Sequence, residues 1–339
     1  EAPLAQREQL IRVHLPEYVD HVLGSVPAEG HLGLDADTVI SPGSGEAALR
    51  AAGAVCAAVD YVIEGHARNA FCAIRPPGHH ATRSQSMGFC FFNNIAVAAR
   101  HALDVRGLKR VAIVDFDVHH GNGTEDIFSD DPHVLMASIF QHPYYPYSGT
   151  DDVAPNMVNV PLRAGSGGDA LKAAVQASWM PALDAFRPQM IFISAGFDAH
   201  HRDPLANLKF TEEDFSWATA KLIWKAWRQN GTAWTLDMLR FLTMPTRTWA
   251  DMHFRNDKVK ATLAAWGLAS ASWPAGIVRG LCTPVTGAQF GVPMLEVDSN
   301  VPVQLMTTPA AVRLMLTEGP PPPMAGVGSS AGTGAVITV

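Results

Sequence analysis

The sequence lacks the features that mark several large functional classes. Its formal net charge is -7, so it offers no basic surface for a phosphate backbone, and we expect no direct binding of nucleic acid. Its four cysteines include no CxxC pair and predict no disulfide framework, which favours a reducing, cytoplasmic location. No apolar run is long enough to span a bilayer and no signal-peptide pattern is present, so we expect no membrane association.

Strand and helix patterns alternate along about two thirds of the chain. Apolar runs rich in β-branched residues predict strands at 70–74, 110–117, 134–139, 157–161 and 190–194. Amphipathic or Ala-rich stretches predict a helix and a connection within residues 1–21 and helices at 46–64, 93–103, 170–186 and 211–227. Alternation of this kind predicts an α/β fold, with a mainly parallel sheet covered by helices on both faces.

The last third of the chain has a different character. Residues 231–339 show no clear strand-helix rhythm, contain four prolines after Gly319, and end in a Gly/Ser-rich tail that we predict to be mobile. We therefore predict one domain over residues 1–230 and an unassigned region over 231–339.

Histidines and aspartates follow three of the predicted strands. Asp117 and His119 follow the strand at 110–117, Asp198 follows the strand at 190–194, and His79 and His80 follow the first strand. The carboxyl ends of parallel strands face one crevice, where ligands bind. Asp117 and His119 are two residues apart, so in extended backbone they point to the same side.

These residue types predict a catalytic metal site. Asp117, His119 and Asp198 would give a divalent ion one nitrogen and two carboxylate ligands and leave positions open, as in catalytic sites. Ligand softness favours zinc, with iron(II) or cobalt as alternatives. His79 and His80 titrate near neutrality and suit general acid-base catalysis. Asp115 and Asn122 are available to orient them.

Four segments resemble a known family when they are taken together. They are Arg75-Pro-Pro-Gly-His-His-Ala81, Gly88-Phe-Cys-Phe-Phe-Asn-Asn94, Asp115-Phe-Asp-Val-His-His-Gly-Asn-Gly-Thr124 and Ser194-Ala-Gly-Phe-Asp-Ala-His200. The chain is similar, over about residues 10–215, to the zinc-dependent histone deacetylases, particularly the class II-like and bacterial amidohydrolase members. The resemblance implies an arginase/deacetylase-like α/β fold over residues 1–230 that lacks edge strands at both ends, since the first strand of the family would precede Glu1.

The resemblance also implies a role for each site residue. Asp117, His119 and Asp198 look like the zinc ligands, and His79 and His80 look like the catalytic tandem histidines. Asp115 would partner His79, and Asn122, where other members carry Asp, would partner His80.

Further positions match the substrate channel and a second cation site. Phe89, with Gly88 before it, and Tyr145 resemble the walls of a tunnel for an acetyl-lysine chain, and Asp37 or Asp35 resembles the carboxylate at its rim. Asp115, Asp117 and Ser138, with the main-chain carbonyl of His119, resemble a site for a monovalent cation, usually K⁺. The implied substrates are acetylated lysine in a peptide or protein, or an acetylated polyamine. The sequence predicts no particular oligomeric state.

One departure from the family pattern keeps the activity open. The family places a tyrosine in a Gly-Gly-Tyr turn after the last zinc ligand, and this chain has no tyrosine after Tyr147. His253 is the nearest substitute in sequence. Four hypotheses therefore remain: a zinc-dependent deacylase, a catalytically impaired protein that binds metal and ligand, an arginase-like binuclear manganese hydrolase, and an α/β domain with incidental His and Asp.

Overall fold

The computed structural model describes residues 2–228, 313–318 and 335–338. The strands within these ranges are Leu32–Gly33 (β1), Val39–Ile40 (β2), Ala67–Ala73 (β3), Val111–Asp115 (β4), Val134–Gln141 (β5), Met157–Leu162 (β6), Met190–Ser194 (β7), Arg313–Glu318 (β8) and Ala335–Thr338 (β9). Seven strands form one sheet in the order β6-β5-β4-β7-β9-β3-β8. All neighbours in this sheet are parallel except β3 and β8. The short strands β1 and β2 pair separately.

Helices connect the strands. Their bounds are Arg7–Leu10 (α1), Pro16–Gly24 (α2), Ser44–Ile63 (α3), Asn94–Arg100 (α4), Asn122–Phe128 (α5), Gly168–Ala174 (α6), Met180–Phe186 (α7) and Glu212–Arg228 (α8). Helix α4 continues into a π-helical turn, His101–Val105, and a second such turn, Val175–Trp179, joins α6 to α7. Among the described helices, none has both the length and the apolar character that crossing a membrane requires.

The sheet is buried on both faces, and β4 shows how. All five residues of β4 are buried, and successive side chains point to opposite faces. Val111 and Ile113 join an apolar cluster with residues of α1 to α5, whereas Ala112 and Val114 join a second cluster with residues of α6 to α8. The predicted α/β fold, with a mainly parallel sheet and helices on both faces, is confirmed.

Two sequence predictions need correction. The helix and connection predicted within residues 1–21 are two helices, α1 and α2. Leu15 turns its N–H to the carbonyl of Arg83, at 2.9 Å, and Pro16 starts a new helix instead of continuing one. The tail predicted to be mobile contains β9, which lies between β7 and β3, and its sequence Ala-Val-Ile-Thr suits a parallel strand.

The C-terminal third therefore supplies two strands to the sheet, and β3 is not an edge strand because β8 pairs along it. The proline run lies outside the described residues. The division of the chain at residue 230 stays a prediction.

Candidate metal centre

The crevice predicted from the sequence forms at the carboxyl edge of the sheet. Strands β4 and β7 end in register at Asp115 and Ser194, and Ser138 of the neighbouring strand β5 pairs with Asp115. The loops that follow β3, β4 and β7 therefore enter the same crevice, and these are the loops that carry the predicted site residues.

Asp117, His119 and Asp198 converge on one point. The Nδ1 atom of His119 lies 3.0 Å from Oδ1 of Asp117 and 3.0 Å from Oδ2 of Asp198. One donor atom from each residue lies within 4.8 Å of the other two, and all three side chains are half-buried. The ion-pair partners of the two carboxylates in the described chain are His79 and His119, not Lys or Arg. Two half-buried carboxylates without a fixed cation fit a divalent metal ion.

Backbone N–H groups hold the carboxylates in this arrangement. Val118 donates to Oδ1 of Asp198 at 2.9 Å, His119 donates to Oδ1 of Asp117 at 2.8 Å, and Asp117 donates to Oδ1 of Asp115 at 3.0 Å. The N–H groups of the loop after β4 thus donate to the site carboxylates. These hydrogen bonds hold the carboxylate oxygens in position to bind an ion.

The electrostatics of the cluster favour a bound positive charge. Burial, and then the charge of Asp117, raise the pKa of Asp198 above its usual range. Burial acts to lower the pKa of His119, but hydrogen bonds and charges from Asp117 and Asp198 outweigh it and raise that pKa to about 10. Without a metal ion, His119 is therefore protonated at neutral pH. A divalent ion that binds the three side chains would have to displace this proton.

The tandem histidines lie beside this cluster, each with its predicted partner. Nδ1 of His79 lies 2.9 Å from Oδ2 of Asp115, and Nδ1 of His80 donates to Oδ1 of Asn122 at 2.7 Å. Both rings are buried, their centroids are 4.0 Å apart, and the ring of His80 lies 5.7 Å from that of His119.

Their partners give the two rings different acidities. Burial opposes protonation of His79, but the charges of Asp117 and Asp115 outweigh it and raise the pKa of His79 to about 9. Burial and the charge of His79 lower the pKa of His80 well below 6.5, since its partner Asn122 brings no charge. A pair with separated pKa values is the arrangement that acid-base catalysis uses.

The residues predicted to wall a channel lie next to these rings. The Tyr145 ring meets His80 and His119 edge-on, with centroid distances of 5.3 and 5.9 Å. Burial, followed by the charges of Asp37 and Asp35, raises the pKa of Tyr145 to about 12. Phe89 follows Gly88 in a turn, and the residue is 59% exposed.

Of the two candidate rim carboxylates, the structure brings Asp37 to this turn. Oδ1 of Asp37 accepts the N–H of Gly88 at 3.1 Å. Asp35 is exposed. Within the described chain, its carboxylate accepts one hydrogen bond, from the N–H of the neighbouring Ala36 at 2.6 Å.

Ser138 also lies where the resemblance predicts a second cation. Its side chain is fully buried beside Asp115, and its hydroxyl has no hydrogen-bond partner within the described residues. A buried hydroxyl without a partner is unusual in a native fold, and a cation at this position would satisfy it.

Two site residues escaped the sequence analysis because each contacts a residue that is distant in sequence. Thr38 is fully buried, and its hydroxyl contacts both Asp37 and the N–H of Phe89. The buried ring of His120 lies 2.8 Å from Oγ of Ser148 and 2.9 Å from a carboxylate oxygen of Glu125, which ties the loop that carries Tyr145 to α5. No local pattern indicates either contact.

Gly196 is a third missed residue, and here the sequence carried a signal. A Cβ atom at this position would lie 1.9 Å from Oδ2 of Asp117, so only glycine permits the loop after β7 to approach the metal cluster this closely. A glycine in the loop just after a buried strand is the pattern that indicates such an approach, and Gly196 is the second residue after β7.

Tyr144, Tyr145 and Tyr147 all precede Asp198 in the chain, so none of them corresponds to the tyrosine expected from a Gly-Gly-Tyr turn after the last zinc ligand. The Tyr144 ring stacks on His119 with a centroid distance of 5.4 Å, but its hydroxyl donates to the carbonyl of Leu205. Tyr147 is 72% exposed. His253, the substitute considered from the sequence, lies outside the described residues.

Comparisons with known proteins agree with the geometry of the site. A model of the histone deacetylase domain matches residues 1–236, a wider span than the 10–215 expected from the motifs. A histone deacetylase-like amidohydrolase of Pseudomonas aeruginosa is 44% identical over 238 residues, which are 68% of this chain and 62% of that protein. A probable deacetylase of Methanothermobacter thermautotrophicus is 42% identical over 226 residues, 64% of this chain and 67% of that protein.

A solved structure shows the same likeness in three dimensions. The crystal structure of the HDA15 HD domain superposes with a TM-score of 0.62 at 37% identity, and the match covers 66% of this chain and 67% of that one. The chain thus spans about three fifths of the Pseudomonas relative and two thirds of this solved domain.

Proposed function

This chain belongs to the histone deacetylase family, and from that premise we propose that it is a zinc-dependent amidohydrolase that removes acetyl or other acyl groups from lysine side chains or small amines. The observation that carries the proposal is the convergence of Asp117, His119 and Asp198 on one point beside two buried histidines with different partners. Acetylated peptides, proteins and polyamines are the substrates we propose, and three buried free cysteines support a reducing, cytoplasmic setting.

The three donor groups would hold the zinc ion. One imidazole nitrogen and two carboxylates suit its borderline softness, and three protein ligands leave room for substrate. When bound, the ion supplies a Lewis acid next to the acyl carbonyl.

The histidines divide the proton transfers between them. Because Asn122 accepts the Nδ1 proton of His80, Nε2 of that ring keeps its lone pair and can take a proton from the attacking water. Because Asp115 stabilises the charged form of His79, that ring can hold a proton at Nε2 and donate it to the leaving amine. The two ring centroids are 4.0 Å apart, so both proton transfers can take place at the same acyl group.

K⁺ at the inner site is part of the proposal. Asp115, Asp117, Ser138 and the main chain of His119 would bind it, and the buried, unpartnered hydroxyl of Ser138 supports this assignment. A cation there would moderate the charge of Asp115 and so tune the basicity of His79.

A protein that binds metal and ligand without efficient turnover is the second candidate. The observation that favours it is the missing tyrosine, since the sequence has no tyrosine after Tyr147. An arginase-like binuclear site is less well supported, because the described residues contain one three-ligand group and Asn122, not a carboxylate, follows it.

One experiment separates these candidates. Purified full-length protein is analysed for bound metal and then assayed with a fluorogenic acetyl-lysine peptide. About one zinc per chain with turnover supports the hydrolase, and zinc without turnover but with hydroxamate binding supports the impaired protein. Two manganese ions per chain, or no metal affinity, would refute both.

A further inference from the structure

The turn formed by residues 87–90 has an unfavourable backbone conformation. Its two central residues, Gly88 and Phe89, both have positive φ angles, of 57° and 66°, and the N–H of Cys90 closes the turn on the carbonyl of Met87 at 3.0 Å. Glycine adopts this region freely, but a bulky residue such as phenylalanine rarely does. Something outside the turn must therefore stabilise it.

The position of this turn matters for the site. A Cβ atom on Gly88 would lie 2.3 Å from Cδ2 of His80, so the backbone of the turn packs directly on that catalytic ring. The turn also places Phe89 at the surface, where the residue is 59% exposed. A change in the turn would move both the ring of Phe89 and the surroundings of His80.

Two neighbouring side chains accept the N–H groups of the turn. The N–H of Gly88 donates to Oδ1 of Asp37 at 3.1 Å, and the N–H of Phe89 donates to Oγ1 of Thr38 at 3.2 Å. The hydroxyl of Thr38 in turn donates to Oδ1 of Asp37 at 3.0 Å. A hydroxyl has one proton. Because Thr38 donates this proton to Asp37, a lone pair of Oγ1 is left to accept the N–H of Phe89.

Thr38 is itself held rigidly. Its side chain is fully buried, and its carbonyl accepts the N–H of Leu34 at 2.8 Å and that of Asp35 at 3.3 Å. The loop of residues 34–38 is thus closed on itself and presents a preformed pair of acceptors to the turn.

We propose that Thr38 and Asp37 are positioning residues that lock Gly88 and Phe89 in the left-handed turn and thereby set the wall of the acyl-lysine channel. This inference rests on the proposed function, which makes Phe89 a channel wall. It gives Asp37 two tasks on two atoms, because Oδ1 serves the turn while Oδ2 makes no hydrogen bond in the described chain and stays available to a substrate backbone.

A matched pair of variants tests the role of the hydroxyl. Thr38→Val replaces it with a methyl group at nearly the same shape, and Thr38→Ser keeps it. Affinities of the full-length, zinc-loaded proteins are measured by calorimetry for two probes: a linear alkyl hydroxamate with an aryl cap, which needs the channel, and acetohydroxamate, which needs only the ion. Thermal unfolding of each variant establishes that it is folded.

We expect Thr38→Val to weaken the linear hydroxamate about tenfold, the scale of leaving a buried N–H without its acceptor, and to leave acetohydroxamate unchanged. Thr38→Ser should bind both probes as the wild type does. An unchanged affinity of Thr38→Val for the linear probe would overturn the inference. So would equal weakening of both probes, because that result indicates general damage to the site.

Amide exchange separates this inference from the proposed function. If the wild type binds neither hydroxamate, the metal-site proposal fails, and the turn is then examined by hydrogen exchange of a peptide containing residues 86–92 in metal-free protein. Exchange at Phe89 should be at least about tenfold faster in Thr38→Val than in Thr38→Ser. Equal exchange in the two variants would refute the lock independently of any metal.

Discussion

Protonation of the buried side chain of His14 should destabilise the fold. Its Nδ1 donates to the carbonyl of Thr82 at 2.8 Å and its Nε2 accepts the N–H of Asn93 at 2.9 Å, so the ring is neutral with both nitrogens occupied. The side chain is 2% exposed. Burial lowers the pKa of His14 from 6.5 to about 4, because a charged ring would lose its hydration in the interior. A second ring proton, on Nε2, would also face the Asn93 N–H instead of an acceptor.

The size of the effect follows from the two pKa values. The unfolded chain takes up a proton at His14 near pH 6.5, whereas the folded chain does so only near pH 4, so the unfolded state gains protons first as the pH falls. Stability is thus fully present above about pH 6.5 and declines toward pH 4. At about 1.4 kcal/mol per pKa unit, the complete loss is about 3 kcal/mol, with about 2 kcal/mol already lost at pH 5.

Urea unfolding of metal-free protein between pH 4.5 and 7.5 measures this loss. The non-titrating variant His14→Gln will be less stable than the wild type at pH 7.5, because it disturbs both hydrogen bonds. The difference in unfolding free energy between the two proteins should shrink by about 2 kcal/mol at pH 5. Only the wild type has a ring at this position that takes up a proton more readily in the unfolded state than in the folded state. A difference that stays constant with pH would refute the argument, whatever the absolute stabilities are.

Three further predictions concern the chemistry of the site. Asp198→Ala should lose most of its bound zinc, since one of three ligands is gone, while the exposed control His201→Ala should keep it; equal retention on metal analysis would contradict the ligand assignment. His80→Ala should lower turnover of an acetyl-lysine peptide by about 10²-fold or more with unchanged zinc content, and loss of zinc would identify His80 as a ligand instead. Because a missing oxyanion donor costs about 10² to 10³ in turnover, trifluoroacetyl-lysine, whose carbonyl is electron-poor, should be hydrolysed faster than acetyl-lysine in a paired assay; equal rates with both would mean that another residue replaces the tyrosine.

The sequence predicted the elements whose causes are local. A run of buried apolar residues that ends in Asp and His is sufficient to predict β4 and the loop after it, and parallel strands must bring their carboxyl ends together. The meeting of Asp117, His119 and Asp198 follows from those two facts. Even here the strand boundary was wrong, because the predicted strand 110–117 stops at Asp115.

The reason for that early end lies in the site itself. Beyond Asp115, the N–H groups of Asp117, Val118 and His119 donate to site carboxylates, and so they are not available to a neighbouring strand. A pattern of apolar residues cannot report this, because the acceptor of Val118 comes from Asp198, 80 positions away. The same limit applies to His14 and Thr38, whose decisive contacts are 79 and 51 positions distant. Residues that only hold others in place carry no signature of their own chemistry, since a threonine or histidine is polar in any context. They become recognisable when the fold shows a buried polar group with a specific partner. For that reason the positioning role of Thr38 and Asp37 is an inference from the structure, whereas the cluster of Asp117, His119 and Asp198 is an inference from the sequence.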